Sequence, residues 1–253
     1  MSLKTLDQAL EVFKYFTKEH PAWGVRELAK ELDKSHSIIH RILSTYEQHG
    51  FLKKNEDTKK YELGLKFFEY SVLVQDQLKI TDIVDPYMNE LAEKSKETVF
   101  LTWHDRGEGV CLSIAKSSHS ILFSVSVGSR TPLYAGASGK AVMAFLSEKE
   151  QAAIIEKGVD RLTSNTITNP EQLINDLEAI RKRGWCYTLG EYSDEVVGLG
   201  IPLFNHKNQV IASLTIAAPS YRLSEERAKE LLDDITYARD QIQGKIRTYQ
   251  LNP

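Results

Sequence analysis

From Val25 to Leu63 the chain spells a short helix, a tight turn, a second helix and a β-hairpin. Few folds accept that order in so short a span. Val25, Leu28, Ala29 and Leu32 recur at helical spacing, and a few residues later Ile38, Ile39, Ile42, Leu43 and Tyr46 mark the apolar face of the next helix. Ser35 or Ser37 can cap that helix, and Gly50 ends it as a glycine after the last turn commonly does. Phe51-Leu52-Lys53-Lys54 and Lys60-Tyr61-Glu62-Leu63 then read as two strands joined by Asn55-Glu56-Asp57-Thr58. With a first helix over Leu3 to about Lys18, broken by His20-Pro21-Ala22-Trp23-Gly24, the front of the chain predicts a winged helix-turn-helix.

The start of the later helix narrows what this front can do. Lys34, Ser35, His36, Ser37, His40 and Arg41 give it basic and small polar groups, and no carboxylate falls between residues 34 and 46. The major groove of duplex DNA admits such a helix end: hydroxyls and guanidinium read base edges, and cations meet phosphate. Arg41 either touches DNA or braces the helix, and His36 adds a contact that protonation strengthens. Lys59 and Lys60 on the hairpin are placed to meet the backbone or the minor groove. Asp7, Glu11, Glu27 and Glu31 on the earlier helices are expected to face away. The formal net charge of the chain is only −3. One front domain has few phosphate contacts, so two or more copies acting on a palindromic operator are expected.

At 253 residues, the chain has room for a second domain. Gly64 to Leu78 reads as an amphipathic linker helix, with Leu65, Phe67, Phe68, Val72 and Leu73, that also packs against a partner subunit, and a further helix runs from Ile83 to Lys96, broken or started near Pro86. Strands follow at 98–103, 109–114 and 121–127, helices at 138–146, 150–156 and 171–183, and strands at 185–189, 197–204 and 210–217. One long helix from Ser224 to about Arg247 closes the chain. Hairpin joins among mixed elements predict an α+β domain with an antiparallel sheet. The division expected is 1–63, DNA binding; 64–79, linker and dimerisation helix; and 80–253, effector binding.

Other chemistries fit poorly. The two cysteines, Cys111 and Cys186, form no CxxC and have no histidine nearby, so neither a zinc site nor a disulfide framework is expected. There is no run of about 18 apolar residues and no signal-peptide pattern at the start, so a cytoplasmic protein without a membrane span is expected. Gly136-Ala137-Ser138-Gly139-Lys140 lacks the Gly six residues before the Lys and the Ser or Thr after it that a phosphate loop requires: Tyr134 and Ala141 stand there. The same stretch lacks the Gly-x-Ser-x-Gly elbow of a serine nucleophile. His104, His119 and His206 have no metal-binding spacing. Glu191, Asp194 and Glu195 read as a charged loop. No catalytic residue, cofactor or metal is expected. Two alternatives stand beside the DNA-binding reading: a small-molecule module whose front domain binds protein, and an enzyme built on the second domain. A different use for Ala137-Ser138-Gly139-Lys140 is suggested by its place at a helix start, where free N–H groups and the helix dipole hold a carboxylate and Gly136 and Gly139 permit close approach.

Ordered motifs along nearly the whole chain resemble the IclR family of bacterial transcriptional regulators. In front they are Ser37-Ile38-Ile39-His40-Arg41-Ile42-Leu43 and Tyr61-Glu62-Leu63-Gly64. Behind they are Gly128-Ser129-Arg130-Thr131-Pro132-Leu133, Ala137-Ser138-Gly139-Lys140-Ala141, Arg183-Gly184-Trp185, Glu191, Ile201-Pro202-Leu203-Phe204 and Ala218-Pro219-Ser220-Tyr221-Arg222. The resemblance implies a homodimer or homotetramer, a GAF-like effector domain, and control of DNA binding by a small metabolite, often an organic or aromatic acid. It places effector contacts at Ala137 and Ser138, near Phe123, and near Gly198, Thr215 and Ala217. Family members that bind small keto acids carry Cys where this chain has Gly198 and Asp where it has Thr188, which favours a bulkier or differently polar ligand.

Overall fold

The computed structural model describes residues 3–78, 80–116 and 125–249. They divide into two compact units, Met1–Leu78 and Lys79–Pro253.

In the first unit, α1 (Lys4–Val12) runs into a 3₁₀ turn over Phe13–Tyr15, and Phe16 is already extended. The helix therefore stops short of Lys18, where the chain turns toward Pro21. Ala22–Trp23 form a short strand, β1, where only a break is expected, and it pairs with the hairpin. Trp23 fixes the crossing, because its indole N–H donates to the Tyr15 carbonyl at 2.7 Å. The helices α2 (Val25–Glu31) and α3 (His36–Gln48) follow, then β2 (Leu52–Lys54) and β3 (Tyr61–Leu63). The three strands lie antiparallel in the order β1-β3-β2. Ser35, not Ser37, caps α3 by accepting the Ile38 N–H at 3.3 Å, and Gly50 leaves the helix at φ +76°. Val12, Leu28, Ile39, Leu43, Leu52 and Tyr61 meet in the core of this unit. Ile38, expected to point inward, is exposed: it stands one residue before the buried Ile39, so about 100° of helical rotation separates the two. Lys66–Leu78 form α4.

The second unit opens with α5 (Ile80–Ser95), which begins earlier than expected and continues through Pro86. Its sheet has β4 (Thr98–Asp105), β5 (Glu108–Ala115), β6 (Arg130–Pro132), β7 (Cys186–Leu189), β8 (Val196–Phe204) and β9 (Val210–Pro219). Among the described residues the order is β6-β5-β4-β9-β8-β7, with every neighbouring pair antiparallel. Residues 121–124 of the strand expected at 121–127 lie outside the described residues, and 125–127 are not in a strand. The helices α6 (Gly136–Met143), α7 (Glu148–Glu156) and α8 (Pro170–Arg183) fall between β6 and β7. The expected single C-terminal helix is two, α9 (Glu225–Glu230) and α10 (Leu232–Thr248), which meet at Leu231.

The seating of α6 on the sheet positions the cavity described below. Small residues set its depth. A methyl group built on Gly198 would stand 2.7 Å from the Ala137 Cβ, and one on Gly200 would stand 2.6 Å from the Ala137 carbonyl oxygen. Real side chains do not come that close, so the two β8 glycines let the first turn of α6 rest on the strand backbone.

Candidate functional site: a reading helix and a buried cavity

On the first unit, Lys34, His36, Ser37, His40 and Arg41 are all exposed on or beside the first turns of α3. The His36 and His40 rings lie one helical turn apart, with centroids 6.4 Å apart and planes 18° apart. The ion pairs of this unit are Lys53–Glu62, Lys59–Glu56, Lys60–Glu27 and Lys66–Glu69, so among the described residues Lys34 and Arg41 keep their charges uncommitted. The hydroxyl of Ser35 is already engaged as the helix cap.

The hairpin differs from expectation. Lys60 pairs with Glu27 at 2.9 Å, so Glu27 does not face away from the basic surface. Its carboxylate also accepts the Gly24 N–H that opens α2, and these two partners, Lys60 first, hold its carboxyl below the ordinary range. Lys59 sits at φ +57° in the turn and pairs with Glu56 at 3.1 Å. Asn55 builds that turn, its side-chain oxygen accepting the N–H groups of Asp57 and Thr58.

In the second unit, the first turn of α6 and the sheet, chiefly β4, β5, β8 and β9, line a partly open cavity of about 230 Å³. Of the residues expected at an effector site, Ala137, Ser138, Gly198, Thr215 and Ala217 line it. Phe123 lies outside the described residues. Gly139 is not in the lining. A methyl group there would meet the Pro132 carbonyl at 2.6 Å and Leu133 Cα at 2.8 Å, so this glycine serves close packing of α6. Lining residues missed in sequence include Phe100, Thr102, Cys111, Thr131 and Tyr192. For Phe100, Thr102 and Cys111 the signal is alternation along β4 and β5, which separates two faces without saying which one borders a void; Thr131 on β6 and Tyr192 in the loop after Glu191 carry no such signal. Thr188, distinguished above only as a departure from keto-acid binders, also lines the space.

The lining is apolar at Phe100, Val125 and Ala217 and hydroxylated at Thr102, Thr131, Thr188 and Ser193. Among the described residues no charged side chain belongs to it. Thr215 is 4% exposed, and its hydroxyl has no hydrogen-bond partner. The N–H groups of Ala137 and Ser138, second and third in α6, have no intrahelical acceptor. Helix N–H groups and an unpaired hydroxyl thus border a space of mixed apolar and hydroxyl lining, a combination suited to an acceptor-bearing small molecule. Burial pushes the Cys111 thiol up to about 11, which makes it a poor nucleophile.

Behind the first turn of α6 lies a buried ionic cluster. Lys140 is 1% exposed, with its ammonium 2.6 Å from both Glu191 and Asp176. Burial alone would lower its pKa, but the neighbouring Glu191, Cys186 and Asp176 outweigh that and hold it above the usual lysine range. The contact with Asp176 is poorly aligned as a hydrogen bond and acts as an ion pair. Glu191 is not part of an exposed charged loop. It is buried, and its second carboxylate oxygen accepts the Gly136 N–H at 3.3 Å. The first donor of the helix is therefore already taken. Thr166 holds the Glu191 carbonyl at 2.8 Å, and Thr163 holds that of Gly190. The next two residues, Tyr192 and Ser193, border the cavity.

Among the described residues no cluster of His, Cys, Asp and Glu is arranged to hold a metal ion, and no helix is long and apolar enough to cross a membrane.

Comparison with known proteins converges on one family. Residues 5–56 match the family model described as the IclR helix-turn-helix domain, and residues 72–243 match that described as bacterial transcriptional regulator IclR C-terminal. The chain is similar to the HTH-type transcriptional regulator KipR of Bacillus subtilis, with 31% identity over 96% of this chain and 97% of the relative. Among solved structures it is similar to the IclR of Thermotoga maritima, at a TM-score of 0.73 and 30% identity over 97% of this chain and 99% of the other. It shares its fold with an IclR homologue of Microbacterium hydrocarbonoxydans complexed with 4-hydroxybenzoate, at a TM-score of 0.82 and 20% identity over 96% of this chain and 99% of the other.

Proposed function

The chain belongs to the IclR family of bacterial transcriptional regulators, and from that premise we propose that a carboxylate-bearing small molecule in the cavity under α6 controls how its reading helix holds operator DNA. The coarse function follows from membership: it is a helix-turn-helix DNA-binding regulator with an effector-binding C-terminal domain. The residues and the ligand class are our own reading.

The observation that carries the effector site is the meeting of the unpartnered Thr215 hydroxyl with the Ala137 and Ser138 N–H groups at one apolar-walled space. An aromatic or other organic acid suits it: its carboxylate takes the N–H groups while its body lies against Phe100, Val125 and Ala217. That an IclR homologue of the same fold is complexed with 4-hydroxybenzoate supports the class. Gly198 lets the first turn of α6, with its Ala137 and Ser138 N–H groups, sit close over the strand that borders the space. The protein binds this molecule and does not transform it, and it works in the cytoplasm, where its operator is.

Lys34, His36, Ser37, His40 and Arg41 meet the major groove, with Arg41 and Lys34 supplying the phosphate-binding charge. We assign residues 1–63 to DNA binding, 64–79 to the linker and dimerisation, and 80–253 to effector binding. Leu65, Phe68, Leu73 and Val74, at and along α4, expose apolar surface of the kind a second copy covers, which supports a homo-oligomer on a palindromic site. Ligand controls binding only by preferring one of two arrangements of the assembly.

The test is fluorescence anisotropy of duplex fragments from upstream of the protein's own gene, titrated with salt and with organic acids. Binding should weaken steeply with salt, and at least one acid should shift it. Salt-independent attachment, or none, would refute the DNA assignment.

A further inference from the structure

The cluster behind α6 bears on what the cavity accepts. Two carboxylates, Glu191 and Asp176, face one ammonium, Lys140, and one of them sits at the head of the helix whose N–H groups open on the cavity. Asp194 and Glu195, exposed in the loop just after, are acidic as well. A helix N-terminus attracts anions through its unpaired N–H groups and its dipole. Here the first of those groups is already bound to an internal carboxylate, and among the described residues no cationic side chain lines the space beyond it. Thr215, 4% exposed and without a hydrogen-bond partner, supplies a neutral donor or acceptor in the same lining. A methyl group built on Gly200 would meet both the Ala137 carbonyl at 2.6 Å and the Thr215 hydroxyl at 3.1 Å, so this hydroxyl lies directly under the helix start.

We propose that Glu191 and Asp176 are specificity-determining residues of the effector cavity: they hold its anion affinity down and restrict it to ligands with a single-charged or neutral head group. The proposal rests on the cavity being the effector site. Glu191 competes for the helix N-terminus as an internal carboxylate. Asp176 takes up ammonium charge that would otherwise favour a bound anion. The ligand carboxylate is then held by the Ala137 and Ser138 N–H groups and by hydroxyls. A doubly charged ligand gains no counter-charge for its second anion.

The sign of the expected effect separates this from a structural role. Glu191→Gln keeps an acceptor for the Gly136 N–H and removes the charge. Asp176→Asn removes a charge on α8 and leaves the Glu191–Gly136 bond untouched. A residue that merely props the helix weakens every ligand when it is changed. A residue that repels anions strengthens the acid and spares the neutral isostere. Calorimetric titration of the full-length protein and both variants with 4-hydroxybenzoate and with 4-hydroxybenzamide reads the difference. Each variant should bind the acid at least roughly threefold more tightly, because the repulsion from one unit charge is removed, with the amide unchanged. Acid and amide shifting together, or a weakened acid, overturns the proposal and leaves the effector site standing. Binding of neither probe to any of the three proteins overturns both. Should Glu191→Gln fail to fold, Asp176→Asn, whose side chain is 31% exposed and paired with Lys140, decides the matter.

Discussion

The ammonium of Lys60 on the wing lies 2.9 Å from the Glu27 carboxylate, which also accepts the Gly24 N–H at the head of α2. A wing lysine that would otherwise be free for phosphate is thus tied to the helix before the reading helix. Lys60→Ala is expected to reduce the salt slope of DNA binding by less than the roughly one unit typical of a phosphate lysine. Glu27→Gln is expected to free Lys60, tighten binding and steepen that slope. Anisotropy titrations at several salt concentrations compare the two; a slope unmoved by Glu27→Gln contradicts the picture.

Among the described residues Arg41 has no such partner. Arg41→Ala should weaken operator binding by about 1–3 kcal/mol, the usual range for an arginine that reads a base or clamps a phosphate. Competition with unrelated duplex tells the two apart, since only a base contact changes the ratio of specific to non-specific affinity. An unchanged affinity for both duplexes removes Arg41 from the interface.

Thr215→Val replaces an unpartnered buried hydroxyl with a methyl of similar size. Removing a polar group that lacks a hydrogen bond in the folded protein is expected to leave stability unchanged or to raise it slightly. Effector affinity should fall, because this buried lining hydroxyl has no protein partner and is free to bind the ligand. Thermal unfolding with and without 4-hydroxybenzoate measures both, and equal stabilisation by ligand in the two proteins would exclude Thr215 from the contact.

Gly200→Ala places a methyl 2.6 Å from the Ala137 carbonyl, against backbone that cannot swing aside. Overpacking of this kind costs about 1–3 kcal/mol. The first turn of α6 must lift from β8, so ligand response should be lost along with stability. Denaturant unfolding and ligand titration on the same sample check this. A variant that melts like the parent and still binds shows that α6 is not seated as described.

Alkaline pH should loosen the second unit. Burial raises the Cys111 and Cys186 thiols from an ordinary 9.0 to about 11 and about 12, and Lys140 is also raised. A group whose folded pKa lies above its unfolded value stabilises the fold fully below the unfolded value and loses that contribution as pH rises through the folded one. Stability should therefore decline between about pH 9 and pH 12, and Cys186→Ala should flatten the decline. Thermal melts across that range provide the measurement; parallel curves for parent and variant refute the assignment to Cys186.

What was legible in the sequence was local. The reading helix, its serine cap, the glycine after it and the hairpin follow from spacing and turn chemistry. β1 was not legible, because two residues carry no alternation and the strand exists only through pairing with β3. Nor was the pairing of Glu27 with Lys60, which lie far apart in sequence, or the burial of Glu191, whose acidic neighbours suggest a solvated loop. In the cavity, helix-start chemistry points to Ala137 and Ser138, and family resemblance points to Gly198, Thr215 and Ala217. It takes the packed sheet to separate Gly139, which fills no cavity wall, from Gly198, which does.

Thr188, Gly198 and Ala217 stand opposite one another across β7, β8 and β9, as do Gly200, Thr215 and Phe100 across β8, β9 and β4. The non-glycine members of these rungs are interchangeable pixels: a lineage can swap a methyl for a hydroxyl at Thr188, Thr215 or Ala217 without disturbing backbone pairing. None of these positions belongs to α3 or its wing. The signal heard and the chromosomal address consulted are thus inscribed on separate parts of the chain, and descendants are free to inherit one while rewriting the other.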